Sequence, residues 1–392
     1  MKGRVGVIAE VLATIALVVW LYLLTARGMF WRCAERDDRP QPPAAAGGWP
    51  RVVAVVPARN EADAIAKSIG SLMAQEYPGA FSVILVDDDS GDGTADIARR
   101  LAGADARLTL VTGRALPAGW TGKLWALKQG IDAAMALPQA PDYLLLTDAD
   151  IVHASDSVSR LVARASQQRL VLTSLMVKLR CQSLAERINI PAFIFFFQML
   201  YPFAWVNRPQ SKVAAAAGGC MLVHAETLRR AGGIAVIRGA LIDDCALAKA
   251  LKAHGPIWLG LTEGVHSVRP YPALADIRHM VVRSAYAQLR YSPLILTGTA
   301  AGMVLTYLVP PMLAIFGGGP AQVLGAITWL LMAIAMQPTL RLYRLSPLWG
   351  FALPAIALEY LIFTLDSAWQ YVRGRGGTWK GRVQANVNVS EP

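Results

Sequence analysis

Residues 143–151 read YLLLTDADI: three leucines run into two aspartates separated by one alanine. A short apolar run of this kind reads as a buried strand. If the extended backbone continues through the acids, side chains alternate and Asp148 and Asp150 point the same way. Two neighbouring carboxylates repel each other unless a positive charge lies between them. A divalent Mg2+ or Mn2+ ion supplies it, and such ions take one or two carboxylates together with phosphate oxygens. Asp148 and Asp150 are therefore expected to hold a metal-bound phosphate ligand. The alternative is a solvated loop, with Ser155 capping the helix that follows.

The same strand signal recurs upstream. RVVAVVPA, SVILVDDDS and RLTLVTG read as strands, and helical patterns separate them. Ile65, Ile69, Leu72 and Met73 share one helical face, and Leu124, Leu127, Ile131 and Met135 another. Thr94 stands where an N-cap would open the helix GTADIARRLA. This alternation predicts an α/β fold, with a largely parallel sheet covered by helices on both faces. Ligands bind such sheets at the carboxyl ends of the strands. PARNE, DDDS and DAD all fall there.

The whole chain is more apolar than a soluble domain: 54% of its 392 residues are hydrophobic and 17% charged. Residues 5–24 form an apolar run long enough for a membrane-spanning helix, and no cleavage-site pattern follows it. Further apolar runs cover 294–316, 321–337 and 348–365. Arg27, Arg32, Arg36, Arg39 and Arg51 follow the first run, which places the middle of the chain in the cytoplasm. Arg373, Arg375, Lys380 and Arg382 ask for the same side. Three full C-terminal spans would put the tail opposite, so one run is expected to be re-entrant or interfacial, broken at Pro310-Pro311 or Pro354. Residues 188–206, with Pro191 and Pro202, read as an aromatic-rich segment at the bilayer surface. The net charge of +11 fits attraction to anionic lipid. The basic residues are scattered and no nucleic-acid reader motif appears, so no nucleic-acid partner is expected. Cys33, Cys181, Cys220 and Cys245 lie too far apart in sequence for a zinc knuckle or a redox pair, and read as reduced thiols. GDGT at 91–94 lacks dinucleotide-fold spacing and no Walker A sequence is present, which argues against a nicotinamide enzyme or a P-loop ATPase.

VVPARNEADAIAKSIGSL, ILVDDDSGDGTADIA, GKLWALKQG and LLLTDADI resemble, in order and spacing, the nucleotide-sugar half of family-2 glycosyltransferases. AAGGCMLVHAETLRRAGGI and IDDCALAKAL resemble the acceptor half. AERINIPAFIFFFQMLYPFAWVN, GALIDDCALA and AQLRYSPL are similar, more narrowly, to the hopanoid-biosynthesis-associated (hopene-associated) glycosyltransferases. The resemblance implies a GT-A nucleotide-diphospho-sugar transferase fold, here with N-terminal and C-terminal transmembrane helices. The expected divisions are an anchor at 1–26, a linker at 27–50, the GT-A domain at 51–292, a transmembrane region at 293–372 and a basic tail at 373–392.

It also implies roles. Pro57, Arg59 and Glu61 fall in the first nucleotide-contacting loop, Asp88 at the base contact, and Lys123 beside the nucleotide. Asp148 falls on the ribose and metal side, Asp150 at the direct metal ligand, and Asp243-Asp244 at the acidic pair whose second member is the catalytic base. The pair reads equally as acids at a helix N-terminus. Processive relatives carry Gln-x-x-Arg-Trp; here Gln288, Arg290 and Tyr291 stand at a different spacing, which favours transfer of a single sugar. Trp379, Lys380 and Arg382 either return to the active site or anchor at the interface. His266 is a candidate further metal ligand, whereas His153 and His279 read as structural. The implied partners are a nucleotide-sugar donor, commonly UDP-linked, a membrane lipid acceptor, hopanoid or polyprenyl phosphate, and the bilayer. The implied location is a bacterial-type cytoplasmic membrane. The competing reading is a catalytically idle scaffold for lipid synthesis, against which Asp148, Asp150 and Asp244 speak.

Overall fold

The computed structural model describes residues 2–38, 48–379 and 382–383. They divide into two compact units. One comprises Glu35–Arg180 and Trp205–Pro270. The other comprises the first 34 residues, Cys181–Ala204 and Tyr271–Gly377.

The first unit is built on an eight-stranded sheet. Its strands are β1 (Val52–Ala58), β2 (Phe81–Asp87), β3 (Leu108–Thr112), β4 (Tyr143–Thr147), β5 (Ile151–His153), β6 (Leu172–Lys178), β7 (Cys220–His224) and β8 (Ile257–Ser267). The order is β3-β2-β1-β4-β7-β6-β8-β5. Strands β1 to β4 are parallel to one another, as expected. Past β4 the sheet becomes mixed: β7 runs antiparallel to β4 and β6, and β5 antiparallel to β8.

Strand β1 is buried along its whole length, which is why it reads as a continuous apolar run. Val52, Ala54 and Val56 face a core completed by Ile65, Ile69 and Leu72. The helix Gly122–Met135 covers the opposite face. It sits close because residue 130 is glycine: a Cβ there would collide with the side chains of Val55 and Val86. Pro57 is tolerated in this central strand because pairing with β4 stops at Val55, so no ladder partner awaits its missing N–H.

Two expectations for this unit are corrected. The strand does not continue through the acids: β4 ends at Thr147, and Ile151 N–H closes a turn onto Asp148 O at 3.2 Å. The linker expected at 27–50 is partly built into the sheet. Leu261 N–H donates to Glu35 O, Asp37 N–H donates to Leu261 O, and Asp37 is buried beside Arg160. Residues 39–47 of that linker, with Arg39, lie outside the described residues.

The second unit is helical. Among the described residues five helical segments are long and apolar enough to cross a membrane: Gly6–Thr25, Leu184–Val206, Pro293–Phe316, Gly319–Leu342 and Pro347–Val372. Pro310-Pro311 does not break the third; a π-helical turn, Val304–Leu308, takes up the disruption. Pro310 has no N–H for the carbonyl four residues back. That carbonyl, Thr306 O, receives a 2.8 Å bond from Trp20 Nε1 instead. Trp20 is fully buried and meets Tyr307 edge-on at 5.5 Å.

Within 188–206 the two prolines act differently from each other. Pro191 sits inside an uninterrupted helix, Leu184–Leu200, opened by a capping box of Ser183 and Glu186. Only Pro202, just past its end, acts as a stop. This helix groups with the apolar unit, as do residues 271–292, so the expected 51–292 boundary does not follow the compact units. Its apolar surface accounts for this: Ile190, Ala192, Ile194 and Phe195 are buried there.

Candidate active site

The acidic clusters expected at strand ends do fall there, and backbone bonds lock them. The loop after β1 is laced to the loop after β2. Asn60 N–H donates to Ser90 Oγ, Glu61 N–H to Thr94 Oγ1, and Gly91 N–H to Asn60 Oδ1, at 2.8–3.0 Å. Thr94 is not the N-cap: Asp92 accepts from both its N–H and its hydroxyl, and also from Ala62 N–H. Asn60 and Asp89 adopt left-handed backbone, which their short polar side chains tolerate.

Within this frame Arg59 Nη1 donates to the carbonyls of Asp88 and Asp89 and lies 3.7 Å from Asp88 Oδ2. Asp88 is almost fully buried. The expected base-contacting acid thus has its charge balanced by a residue of the first nucleotide loop.

The turn after β4 answers the question of charge. Each acid of DAD carries its own protein cation. Lys123 Nζ lies 2.9 Å from Asp148 Oδ1 and 3.2 Å from Asp243 Oδ2. Arg269 Nε lies 2.9 Å from Asp150 Oδ2, and Ser267 Oγ donates to the same oxygen at 2.9 Å. Burial disfavours the Lys123 ammonium, but Asp148 and Asp243 outweigh it and raise its pKa. Asp148 is pushed up by burial and by Asp150, against the pull of Lys123.

Asp243 and Asp244 open the helix Asp243–Lys252. Asp244 is held by two backbone donors, Gly218 N–H to Oδ2 at 2.9 Å and Cys245 N–H to Oδ1 at 2.7 Å. Burial and the adjacent Asp243 push it up to about 6, against Lys123 and those two N–H groups. A carboxylate titrating there suits general-base work near neutral pH. Gly218 permits the approach: a Cβ on it would lie 3.2 Å from Lys123 Nζ and 3.5 Å from Asp244 Oδ2.

Lys123, Asp148, Asp243 and Asp244 therefore form one half-buried cluster, and Glu61, Asp150, Ser267 and Arg269 form another. Sequence reading missed Arg269 and Ser267. Nothing local marks them; they stand in the ordinary stretch SVRP, where β8 ends at Ser267. Arg290 and Tyr291 belong to the other unit, both with left-handed backbone, and Tyr291 stacks on Tyr371 at 4.4 Å. His153 is structural as expected: it bonds Thr147 and Ser157, and burial pushes it down to about 3. His266 is exposed and sits one residue before Ser267 on β8, so alternation turns it away from Asp150. Among the described residues no group of three or more His, Cys, Asp or Glu side chains is arranged to hold a metal ion. Asp148 and Asp150 alone suit an ion that draws its other ligands from phosphate and water. The four cysteines are free thiols. Lys380 lies outside the described residues; for Trp379 and Arg382 the backbone alone is described, in a two-residue antiparallel pair.

A parallel half with acidic strand ends, continued by antiparallel strands that bring a second acidic pair to Lys123, is the architecture of the GT-A nucleotide-diphospho-sugar transferases. Residues 53–231 match the family model Glycosyl transferase family 2, and the protein is a glycosyltransferase carrying that domain. No curated protein matches the chain. Among solved structures it is similar to a mannosyltransferase from Pyrobaculum calidifontis in complex with GDP-Man and Mn2+: 19% identity, 92% of this chain and 99% of that one, TM-score 0.58. Mannosyl-3-phosphoglycerate synthase from Rubrobacter xylanophilus is more distant, at 17% identity, 62% of this chain and 73% of that one, TM-score 0.40.

Proposed function

We propose that this glycosyltransferase moves one sugar from a nucleotide-diphospho-sugar, UDP-linked, to the hydroxyl of a membrane lipid, in hopanoid biosynthesis, by an inverting displacement. The observation that carries the chemistry is Asp244. It is half-buried, fixed by two backbone N–H groups, raised to about 6, and clustered with Lys123 and Asp148.

In this reading Asp244 accepts the proton of the acceptor hydroxyl. The acceptor oxygen attacks the anomeric carbon from the face opposite the diphosphate. The bond from that carbon to the diphosphate oxygen breaks, and the nucleoside diphosphate leaves with the electron pair. Asp148 and Asp150 would hold a divalent metal, which when bound neutralises charge on the leaving diphosphate. Pro57, Arg59, Glu61 and Asp88 shape the nucleotide end, with Arg59 fixing Asp88. Lys123 orients Asp148 and Asp243 and offers a cation to phosphate.

The five long apolar helices support a lipid acceptor and a multi-pass place in the cytoplasmic membrane. The arginines at 27, 32 and 36 support a catalytic unit facing the cytoplasm. The hopanoid assignment rests on the resemblance of 185–207, 239–248 and 287–294. The test is lipid mass spectrometry of cells with and without the gene. A hopanoid bearing one hexose- or hexosamine-sized adduct should vanish in its absence. Loss of a glycosylated polyprenyl phosphate instead would move the acceptor assignment, and an unchanged lipid profile would favour the scaffold reading.

A further inference from the structure

Arg269 spans two acids delivered by different strand-end loops. Its Nη2 donates to Glu61 Oε1 at 2.6 Å and its Nε to Asp150 Oδ2 at 2.9 Å. Ser267 closes a ring: its hydroxyl donates to Asp150 Oδ2 and accepts from Arg269 N–H at 3.2 Å. The Glu61 and Asp150 side chains are only 11% and 10% exposed, so their charges are poorly screened by water. One guanidinium serves both acids, and Asp150 Oδ2 already accepts two bonds before any ligand arrives.

We infer that Arg269 is a resident counter-cation that makes divalent-metal binding at Asp150 conditional on the nucleotide diphosphate. A metal entering alone must compete with Arg269 for Asp150. A diphosphate changes the competition, because its oxygens offer the planar guanidinium a bidentate anionic partner in exchange for the carboxylate. Arg269 is thus a positioning residue. It keeps Glu61 and Asp150 paired in the resting protein and orders the arrival of donor and metal. This rests on the assignment of Asp150 as a metal ligand.

The test is Mn2+ binding to the full-length, detergent-solubilised protein, followed by electron paramagnetic resonance with and without UDP. Without UDP, Arg269→Gln should bind Mn2+ about tenfold more tightly than wild type, since an opposing charge has gone. The tightening that UDP confers on wild type should shrink in the variant. A clamp that merely held the loops would give weaker binding on its removal, so unchanged or weaker Mn2+ affinity overturns the inference. Arg269→Lys, which keeps the charge but satisfies one acid at a time, should show the same gain at about threefold and serves if the glutamine variant misfolds. Asp150→Asn separates the two assignments. If it leaves UDP-dependent Mn2+ binding intact in the wild-type background, the metal assignment fails. If it abolishes that binding while Arg269→Gln gains nothing, only the role of Arg269 fails.

Discussion

The two units solve one problem in opposite ways. Both remove polar groups from water and must give them partners. In the α/β unit the acids of the candidate site are partnered by cations from distant parts of the chain: Lys123 for Asp148 and Asp243, Arg269 for Glu61 and Asp150. In the helical unit the usual device is a neutral side chain aimed at a carbonyl. Trp20 Nε1 serves Thr306 O, Tyr360 OH serves Asn189 O, and Trp329 Nε1 serves Phe351 O. Charge is not wholly excluded there: Arg278 pairs with Asp366 at 2.6 Å, and the fully buried Glu186 accepts from the N–H groups of Gln182, Ser183 and Tyr271. The lesson is that substitution in the first unit should alter protonation and binding, whereas substitution in the second should alter only stability.

Asp244→Asn presses hardest on that contrast. It should leave calorimetric donor affinity nearly normal and lower single-turnover transfer by about 10²- to 10⁴-fold, the range for a lost general base. Asp88→Asn should show the reverse split. Equal loss of donor binding in both would move Asp244 into the donor site and make Asp243 the first candidate for the base.

The pH profile comes next in size. Asp244 must be ionised to accept a proton, and its pKa is raised to about 6. The kcat/KM profile should therefore hold above that value and fall as pH drops through it. Lys123 is one of the influences that lower the Asp244 pKa. Lys123→Ala should move the acid limb upward, by about one pH unit if the lost interaction is about 1.4 kcal/mol. A limb that stays put would mean another group titrates.

The smallest effect belongs to the helical unit. Trp20→Phe keeps the ring beside Tyr307 but leaves Thr306 O without its donor. Thermal unfolding in detergent should show a loss of about 0.5–1.5 kcal/mol with the pH profile unmoved. A shifted acid limb would break the division drawn between the units.

Much of the parallel half was legible because its signals are local. Continuous apolar strands, helical faces such as Ile65, Ile69 and Leu72, and acids just past strand ends can each be read within a dozen residues. What escaped is long-range. Arg269 meets Asp150 across 119 residues and Glu61 across 208, and a lone loop arginine carries no mark of either partner. The turn at Asp148–Asp150 escaped because extension and turn differ by backbone angles, not by composition. The helix Leu184–Leu200 escaped because a proline inside an apolar run favours a break, whereas this helix runs through Pro191. Thr94 does not cap because its hydroxyl and N–H both donate to Asp92, while Asp96 and Ile97 N–H go to Gly93 O.

The position of Leu184–Leu200 in the chain has a consequence for how the protein is made. Strand β7 pairs directly with β4, yet the apolar helix is translated between them. Thr147 leaves the ribosome with Asp148 and Asp150 close behind, while Cys220 follows 73 residues later. At about 5–20 residues per second this is a wait of roughly 4–15 s. During it the edge of β4 that β7 will occupy lacks its partner, and the helix must find an apolar environment. Gly218 arrives just before Cys220, and Asp244 only afterwards. The nascent chain thus completes an apolar helix before the sheet, and with it the acidic cluster, can close.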